Sequence, residues 1–106
     1  MKKEHALIIK KAVRENANDD WFADKDGNIY WDYISIDKPA FEVFIGSEHK
    51  DEDGTSTRVF VTDLTLNETC GFVYAGTDRL LCDCYTIEEA IYIAVRKAIR
   101  KAMNTY

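Results

Sequence analysis

The sequence predicts an α+β domain in which an N-terminal helix, an antiparallel meander of four to six strands and a C-terminal helix follow one another. Two observations predict this class. Apolar residues recur at helical spacing near both ends of the chain, and short β-branched and aromatic runs separated by turn residues fill the middle. Both helices are expected to pack on one face of the sheet. The 106 residues, 46% of them apolar, suffice for a single domain, residues 1–106, with its own core.

The first predicted helix spans residues 2–18. Its apolar positions lie three or four residues apart, at Ala6, Ile9, Ala12, Val13 and Ala17. The apolar run at the start of the chain covers only residues 6–9, which is too short for a secretory leader. No later run approaches the roughly 20 apolar residues of a membrane span. We therefore expect a cytoplasmic protein that does not bind membranes.

Six runs in the middle of the chain predict strands, at residues 21–23, 28–36, 41–46, 58–65, 69–75 and 79–85. The dipeptide Asp26-Gly27 predicts a two-residue type I′ hairpin between the first two, and residues 47–57 are expected to form a long acidic loop. Because side chains alternate between faces, Val43 and Phe44 point to opposite sides of the sheet. Two helices cover one face, so the other either presents aromatic surface to a second copy or to another protein, or is covered by the coils and terminal residues.

The last predicted helix begins after Thr86. Thr86 and Glu89 have the spacing of a capping box, in which a hydroxyl and a carboxylate each satisfy a free backbone N–H group. A stripe of apolar residues follows, comprising Ile87, Ala90, Ile91, Ala94, Val95, Ala98, Ile99 and Ala102. Four cations crowd the last turns, where the helix dipole favours positive charge.

The stretch ADKDGNIYW resembles the start of an EF-hand calcium loop. Such a loop requires glycine at position 6 and a bidentate acid at position 12. Starting the loop at Asp24 places Ile29 and Ser35 at these two positions, and the register that uses Gly27 as the sixth residue places Tyr33 at the twelfth. Both registers fail. The sequence therefore predicts a hairpin here, with no metal and no cofactor.

The cysteines and histidines show no catalytic or metal-binding pattern. Cys70, Cys82 and Cys84 are an odd number without paired CxxC spacing, so they are predicted to be reduced and packed in the interior. Cys82 and Cys84 would share a strand face with Leu80. His5 and His49 have no serine or cysteine beside them in a recognisable context. We expect a protein that is not an enzyme.

Charge is distributed unevenly along the chain, whose formal net charge is −5. Residues 1–18 carry +3 and residues 90–106 carry +4, whereas residues 19–89 carry −12. The predicted partner-binding residues are the carboxylates near two turns of this acidic middle, namely Asp24, Asp26, Asp32, Glu48, Asp51, Glu52 and Asp53. They either only keep the domain soluble or form a docking surface for lysines and arginines of a basic protein. Direct nucleic-acid binding by this acidic body is not expected.

The segment YTIEEAIYIAVRKAI, a strand running into a capped, alanine-rich helix, resembles the end of small acidic phage-encoded accessory proteins. That class includes inhibitors of CRISPR effectors. The resemblance implies a compact, non-enzymatic inhibitor that occupies a basic, nucleic-acid-binding surface of a host protein. Two alternatives remain, a structural or regulatory homodimer that uses the aromatic sheet face, and a nucleic-acid binder that uses the basic terminal helices. The element order also resembles a double-stranded-RNA-binding domain, but Glu88 and Glu89 stand where its lysine pair is required.

Overall fold

The computed structural model describes residues 1–34, 37–81, 83 and 85–106. Its elements follow the order α1 (Lys3–Asn16), β1 (Trp21–Ala23), β2 (Ile29–Trp31), β3 (Phe41–Ile45), β4 (His49–Asp51), β5 (Gly54–Asp63), β6 (Glu68–Ala75) and α2 (Ile87–Thr105). The α+β prediction is therefore confirmed, as an N-terminal helix, an open antiparallel sheet of six strands and a C-terminal helix. Neither helix is long and apolar enough to cross a membrane, within the part of the chain described.

The sheet is a meander built around the long strand β5. The strands β1, β2, β3 and β5 are neighbours in that order, and β6 also pairs with β5. The strand β4 continues the path of β3, because Ile45 pairs with Val59 and His49 pairs with Ser56 further along β5. The hairpin between β4 and β5 therefore extends the sheet as a two-stranded ribbon.

Both helices pack on one face of this sheet. The helix α1 contacts β1 and α2, and α2 contacts β5 and β6. Their apolar stripes meet the inward side chains of the strands, with Phe41, Val59 and Val61 each at most 1% exposed. Gly71 of β6 lies directly against the backbone of α2 at Ala94. The two layers enclose one continuous core.

The capping box at the start of α2 is present. The hydroxyl of Thr86 accepts a hydrogen bond from the Glu89 N–H at 3.1 Å, and the Glu89 carboxylate accepts one from the Thr86 N–H at 3.0 Å. These bonds satisfy two N–H groups that the first turn of a helix leaves free. They fix where α2 begins, and hence its register on the sheet.

Several strand predictions are wrong: one strand does not form among its described residues, one is too long and one was missed. The predicted strand 79–85 does not form among its described residues, which make a turn and one isolated bridge between Tyr85 and Ala75. Leu80, expected on a strand face, is 78% exposed, and the paired Cys82 and Cys84 lie outside the described residues. Of the predicted strand 28–36, only residues 29–31 form a strand, because the chain turns at residues 32–34; residues 35 and 36 lie outside the described part of the chain. Conversely, residues 49–51, expected in a loop, form β4.

The first hairpin has a different turn from the one predicted. The Gly27 N–H donates to the Asp24 carbonyl at 3.1 Å, and the Asp24 N–H donates to the Asn28 carbonyl at 3.0 Å, so the loop has three residues. Gly27 has a φ of +82°, whereas Asp26 does not adopt the positive φ that a type I′ turn requires. The loop is therefore a β-turn followed by a glycine in the left-handed conformation, a common hairpin connection after the two-residue turns.

Candidate protein-docking surface

The sheet face opposite the helices carries a row of aromatic side chains. Phe44, Phe60 and Phe72 are direct partners across β3, β5 and β6. Their ring centroids are 4.9 and 6.3 Å apart, and Tyr74 meets Phe72 edge-on at 4.9 Å. Phe44 remains 49% exposed and Phe72 38% exposed. Strand alternation predicted aromatic surface on this face, and the register shows that it forms one contiguous row.

The same face continues across β1 and β2. Phe22 stacks on its cross-strand partner Tyr30 with ring centroids 4.8 Å apart, and Phe22 is 49% exposed. Between this pair and the aromatic row lies Glu42 of β3, and Arg58 of β5 lies beside the row as the partner of Tyr74. Both are exposed. We refer to Phe22, Tyr30, Phe44, Phe60, Phe72 and Tyr74, with Glu42 and Arg58, as the open face.

Six of the seven predicted binding carboxylates lie toward one end of the sheet. The strands β2 and β3 are antiparallel, with Ile29 paired to Phe41. The turn that precedes β2 therefore lies at the end of the sheet where β3 finishes. Asp24 and Asp26 occupy that turn. The ribbon of β4 and β5 projects further in the same direction and carries the remaining four, Glu48, Asp51, Glu52 and Asp53. We refer to Asp51, Glu52 and Asp53 as the acidic tip.

Asp32 is the exception among the seven. It directly follows β2, so it lies at the end of that strand away from Asp24 and Asp26. Its N–H donates to the Asp20 carbonyl at 3.0 Å, which holds it beside the start of β1. The structure therefore does not bring Asp32 together with the other predicted site residues.

Asp24 has a structural role in addition to its charge. One carboxylate oxygen accepts the N–H groups of Asp26 at 2.9 Å and Asn28 at 3.0 Å, and the other accepts the Tyr30 hydroxyl at 3.3 Å. Burial raises the pKa of Asp24, but the backbone hydrogen bonds from Asn28 and Asp26 and the side-chain bonds outweigh it, so the pKa is lowered. Asp24 therefore stays ionised while it holds the turn.

The acidic tip is ordered by similar local contacts. Asp51 accepts the Asp53 N–H at 2.9 Å, and its other oxygen lies 3.6 Å from Nε2 of His49. The side chains of His49 and Asp51 are 69% and 39% exposed, so this pair is a surface contact of little energetic weight. The tip therefore presents its carboxylates to solvent.

Positive and negative charges lie in different layers of the molecule. The helices α1 and α2 each hold four Lys or Arg against two Asp or Glu, whereas the rest of the chain holds six against fifteen. Among the described residues, no Lys or Arg nitrogen lies within 4 Å of a carboxylate oxygen, and the only ion pair is His49 with Asp51. We refer to all of the chain outside α1 and α2, strands and connecting segments together, as the sheet layer. Its carboxylates form no ion pair with a Lys or Arg among the described residues.

Groups that could support chemistry are sparse in the structure. No cluster of three His, Cys, Asp or Glu side chains suitable for a metal ion occurs in the described ranges. A groove of about 520 Å³ between the start of α1 and β3 is mainly apolar, although His5 and Glu48 lie on its wall. Cys70 packs against the core, where burial raises the pKa of its thiol to about 11 and thus disfavours the reactive thiolate.

No protein-family model, curated protein or solved structure matches this chain. The open face, the acidic tip and the layered charge are the features of the molecule that bear on its function.

Proposed function

We propose that this protein is a non-enzymatic binding protein that docks its open face and acidic tip onto a basic surface of another protein. One observation carries the proposal, namely that the sheet layer leaves its carboxylates without cationic partners beside an exposed aromatic row. Aromatic residues are enriched in the buried centres of protein interfaces, and charged residues around them steer and orient the encounter. The open face and the acidic tip supply these two components along one sheet, with the tip six residues, or roughly 20 Å, along β5 from Phe60.

The chemistry of the partner follows from the charge of the sheet layer. An acidic, aromatic surface complements lysines and arginines, including those with which proteins bind phosphate groups. A partner that handles nucleic acid therefore fits best. When this chain occupies the basic surface of that partner, it would block nucleic-acid binding there. This is also the inhibitory role implied by the resemblance of the C-terminal segment to small phage-encoded proteins.

A second copy of the chain fits this surface less well. A two-fold pairing of open faces would oppose two sheet layers that each hold fifteen Asp or Glu against six Lys or Arg outside the helices. Reciprocal contacts between Glu42 and Arg58 would offset only part of this repulsion, because exposed pairs contribute about 1 kcal/mol or less. Light scattering after gel filtration distinguishes the two arrangements. A monomer agrees with the proposal, and a dimer that dissociates on Phe44→Ser contradicts it.

The decisive experiment compares three matched variants in a binding assay. The partner is first isolated by affinity capture from a lysate at low salt, then purified and titrated against the chain. We expect Asp51→Asn/Glu52→Gln/Asp53→Asn to weaken binding about tenfold and to flatten its salt dependence, because charge pairs at an interface set the encounter rate and add affinity. Phe44→Ser/Phe72→Ser should weaken binding at all salt concentrations, because it removes aromatic anchors.

The control is Lys10→Gln/Lys11→Gln, which alters two exposed cations of α1 in the opposite layer. It should leave binding unchanged. Nucleic acid added as a competitor should release the chain from its partner. Affinity that is unchanged by both sheet-layer variants would exclude the proposed surface.

A further inference from the structure

The outer edge of the strand β6 is largely without partners among the described residues. The strand pairs with β5 on one side, and on the other side the described residues contribute only the isolated bridge between Ala75 and Tyr85. From Glu68 to Val73 no described backbone group pairs with this outer edge, and the bridge begins at the next residue. The strand has eight residues and contains neither lysine nor proline, two residues that commonly protect exposed edges. The edge can therefore accept a further strand.

A groove of about 290 Å³ runs along the C-terminal half of this edge. Phe72 and Tyr74 form its sheet side, and Ile93 and Lys97 of α2 form its helix side. Leu81 and Tyr85 line the end at which the isolated bridge closes the edge. The groove thus lies beside backbone groups that have no described partner, and its walls are partly apolar and partly charged. An added strand gains affinity from such backbone groups and specificity from such walls.

Cations line the helix side of the groove and its continuation. Arg96 and Lys97 contribute to the groove itself, and one turn later Lys101 lies beside Cys70 in a small crevice. None of the three has a carboxylate within 4 Å among the described residues, and Nε of Arg96 is buried without a hydrogen-bond partner. Three carboxylates lie near the ends of the edge, Glu68 at the start of β6, Asp63 in the crevice that Lys101 lines, and Asp83 on the groove wall. The helix side of the edge is therefore positive, within a protein whose net charge is −5.

We infer that the outer edge of β6 is a second binding site, which takes an extended acidic peptide segment of a partner protein as an added strand. Successive side chains of a strand point to opposite faces. Alternate acidic residues of the peptide would therefore approach Lys97 and Lys101, while the intervening residues lie beside Phe72 and Tyr74. Backbone hydrogen bonds supply affinity, and the cations select an acidic sequence.

A second copy of this chain is a poorer occupant. Two β6 edges paired about a two-fold axis would form one continuous sheet with both α2 helices on the same side. Each copy would then bring Lys97 and Lys101 to the seam, facing the same cations of its partner, and Glu68 offsets only part of that charge. Like charges placed across an interface act against association. An acidic peptide removes this conflict.

This inference does not rest on the proposed docking of the open face, although Phe72 and Tyr74 belong to both surfaces. It concerns the edge of the sheet next to α2, and it requires a ligand of the opposite charge. Each proposal can therefore fail while the other holds.

The test uses the full chain and a fluorescein-labelled peptide with the sequence Glu-Val-Glu-Val-Glu-Val, acetylated and amidated at its ends. Binding is followed by fluorescence anisotropy, and its location by amide chemical shifts of the ¹⁵N-labelled chain. We expect the largest shifts at the amides of Cys70, Phe72 and Tyr74. We also expect that Lys97→Glu/Lys101→Glu weakens binding at least about tenfold, because it reverses two charges at the site.

Three controls separate strand addition from general charge attraction. Lys10→Glu/Lys11→Glu changes the net charge by the same amount on α1 and should leave the affinity within about twofold of the unaltered chain. A peptide with the central valine replaced by proline should bind about tenfold more weakly, since proline has no N–H to donate. A peptide with lysine in place of glutamate should not bind. Far-ultraviolet circular dichroism verifies that each variant is folded.

Four results would overturn the inference. Equal weakening by both charge-reversal variants would show non-specific attraction, and equal affinity of the proline peptide would show that no strand is added. Shifts confined to α1 would place the peptide elsewhere. A dimer in light scattering whose β6 amides are protected from hydrogen exchange would show that a second copy occupies the edge.

Discussion

At the scale of single residues, Asp63 shows how a buried carboxylate can be structural. It is 3% exposed and lies at the end of β5. One oxygen accepts the N–H groups of Thr65 and Leu66 at 2.9 and 3.0 Å, and the other accepts the Tyr106 hydroxyl at 2.6 Å. Burial, together with the bond to Asp63 and its negative charge, raises the pKa of Tyr106 to about 12. Asp63 thus joins the turn between β5 and β6 to the end of the chain.

We expect Asp63→Ala to lower the free energy of unfolding by about 2 kcal/mol, because two N–H groups lose their acceptor in a partly buried turn. Urea denaturation followed by circular dichroism measures the loss. Glu68→Ala removes an exposed carboxylate at the other side of the same turn and should change stability by less than about 0.5 kcal/mol. Equal effects of the two substitutions would contradict the assigned role.

Sequence reasoning at this scale identified residue types better than their roles. Asp24 was predicted only as a partner-binding carboxylate beside a hairpin turn, whereas its carboxylate also accepts the N–H groups of that turn. The role of Asp63 was not predicted. An aspartate side chain can accept the N–H groups of the residues two and three positions after it in a turn. Many exposed aspartates have the same local sequence, however. Burial of Asp63 under Tyr106 depends on where α2 ends, which is a tertiary contact.

At the scale of elements, helix boundaries were predictable and strand boundaries less so. The capping box fixed the start of α2 because it is a purely local contact between residues three apart. The strand β4 was missed because its sequence, His-Lys-Asp, has no apolar alternation and all three residues are exposed. It forms because β3 and β5 are already paired and their pairing extends along the chain. Residues 79–85 alternate like a strand, but the chain leaves the sheet at Gly76, where φ is +127°.

The packing of α2 on β6 gives a prediction about Gly71. A Cβ atom there would fall inside van der Waals distance of the Ala94 carbonyl oxygen and 3.2 Å from the Ala98 nitrogen. Both are backbone atoms of α2 and have no freedom to rotate away. We expect Gly71→Ala to lower the free energy of unfolding by about 1–3 kcal/mol through overpacking, as measured by urea denaturation.

The matched control for this prediction is Gly46→Ala. The nearest atom to a Cβ at Gly46 is the Arg58 carbonyl oxygen at 3.5 Å, an ordinary contact, and its φ is not in the left-handed region. This substitution should be neutral within about 0.5 kcal/mol. If Gly71→Ala were equally neutral, α2 would not lie as close to β6 as the structure shows.

At the scale of the whole molecule, the charge blocks of the sequence become layers of the fold. The sequence located the excess of cations at the two ends of the chain and predicted both helices on one sheet face, so a positive layer could be anticipated. The near absence of ion pairs among the described residues could not be anticipated, because it depends on which side chains approach within 4 Å. The open face was anticipated from alternation, whereas its continuous aromatic row required the register of β3, β5 and β6. The cationic groove beside β6 had no signal in the sequence.

This layered charge predicts an unusual dependence of stability on salt. The sheet layer holds nine more Asp and Glu than Lys and Arg, and no described Lys or Arg pairs with a carboxylate. Added salt therefore screens repulsion within the layer without breaking stabilising pairs, as the Debye length falls from about 30 Å at 10 mM to about 8 Å at 150 mM. We expect the Tm to rise by roughly 2 °C over this range, which corresponds to a few tenths of a kcal/mol.

The acidic tip should account for part of that repulsion. We expect Asp51→Asn/Glu52→Gln/Asp53→Asn to have a higher Tm than the unaltered chain at 10 mM salt and a smaller rise on going to 150 mM, as measured by differential scanning calorimetry. Asparagine at position 51 retains the acceptor for the Asp53 N–H, so the turn itself is preserved. Lys10→Gln/Lys11→Gln, which removes cations from the opposite layer, should not raise the Tm at low salt. A Tm that falls on adding salt would contradict the layered arrangement, because it would show that attractions between charges dominate.

The stability and binding results for the acidic tip can be combined. If neutralising its carboxylates raises the Tm and also lowers the affinity for the partner, the tip has the energetic signature of a binding site. Carboxylates that served only solubility would have no effect on affinity.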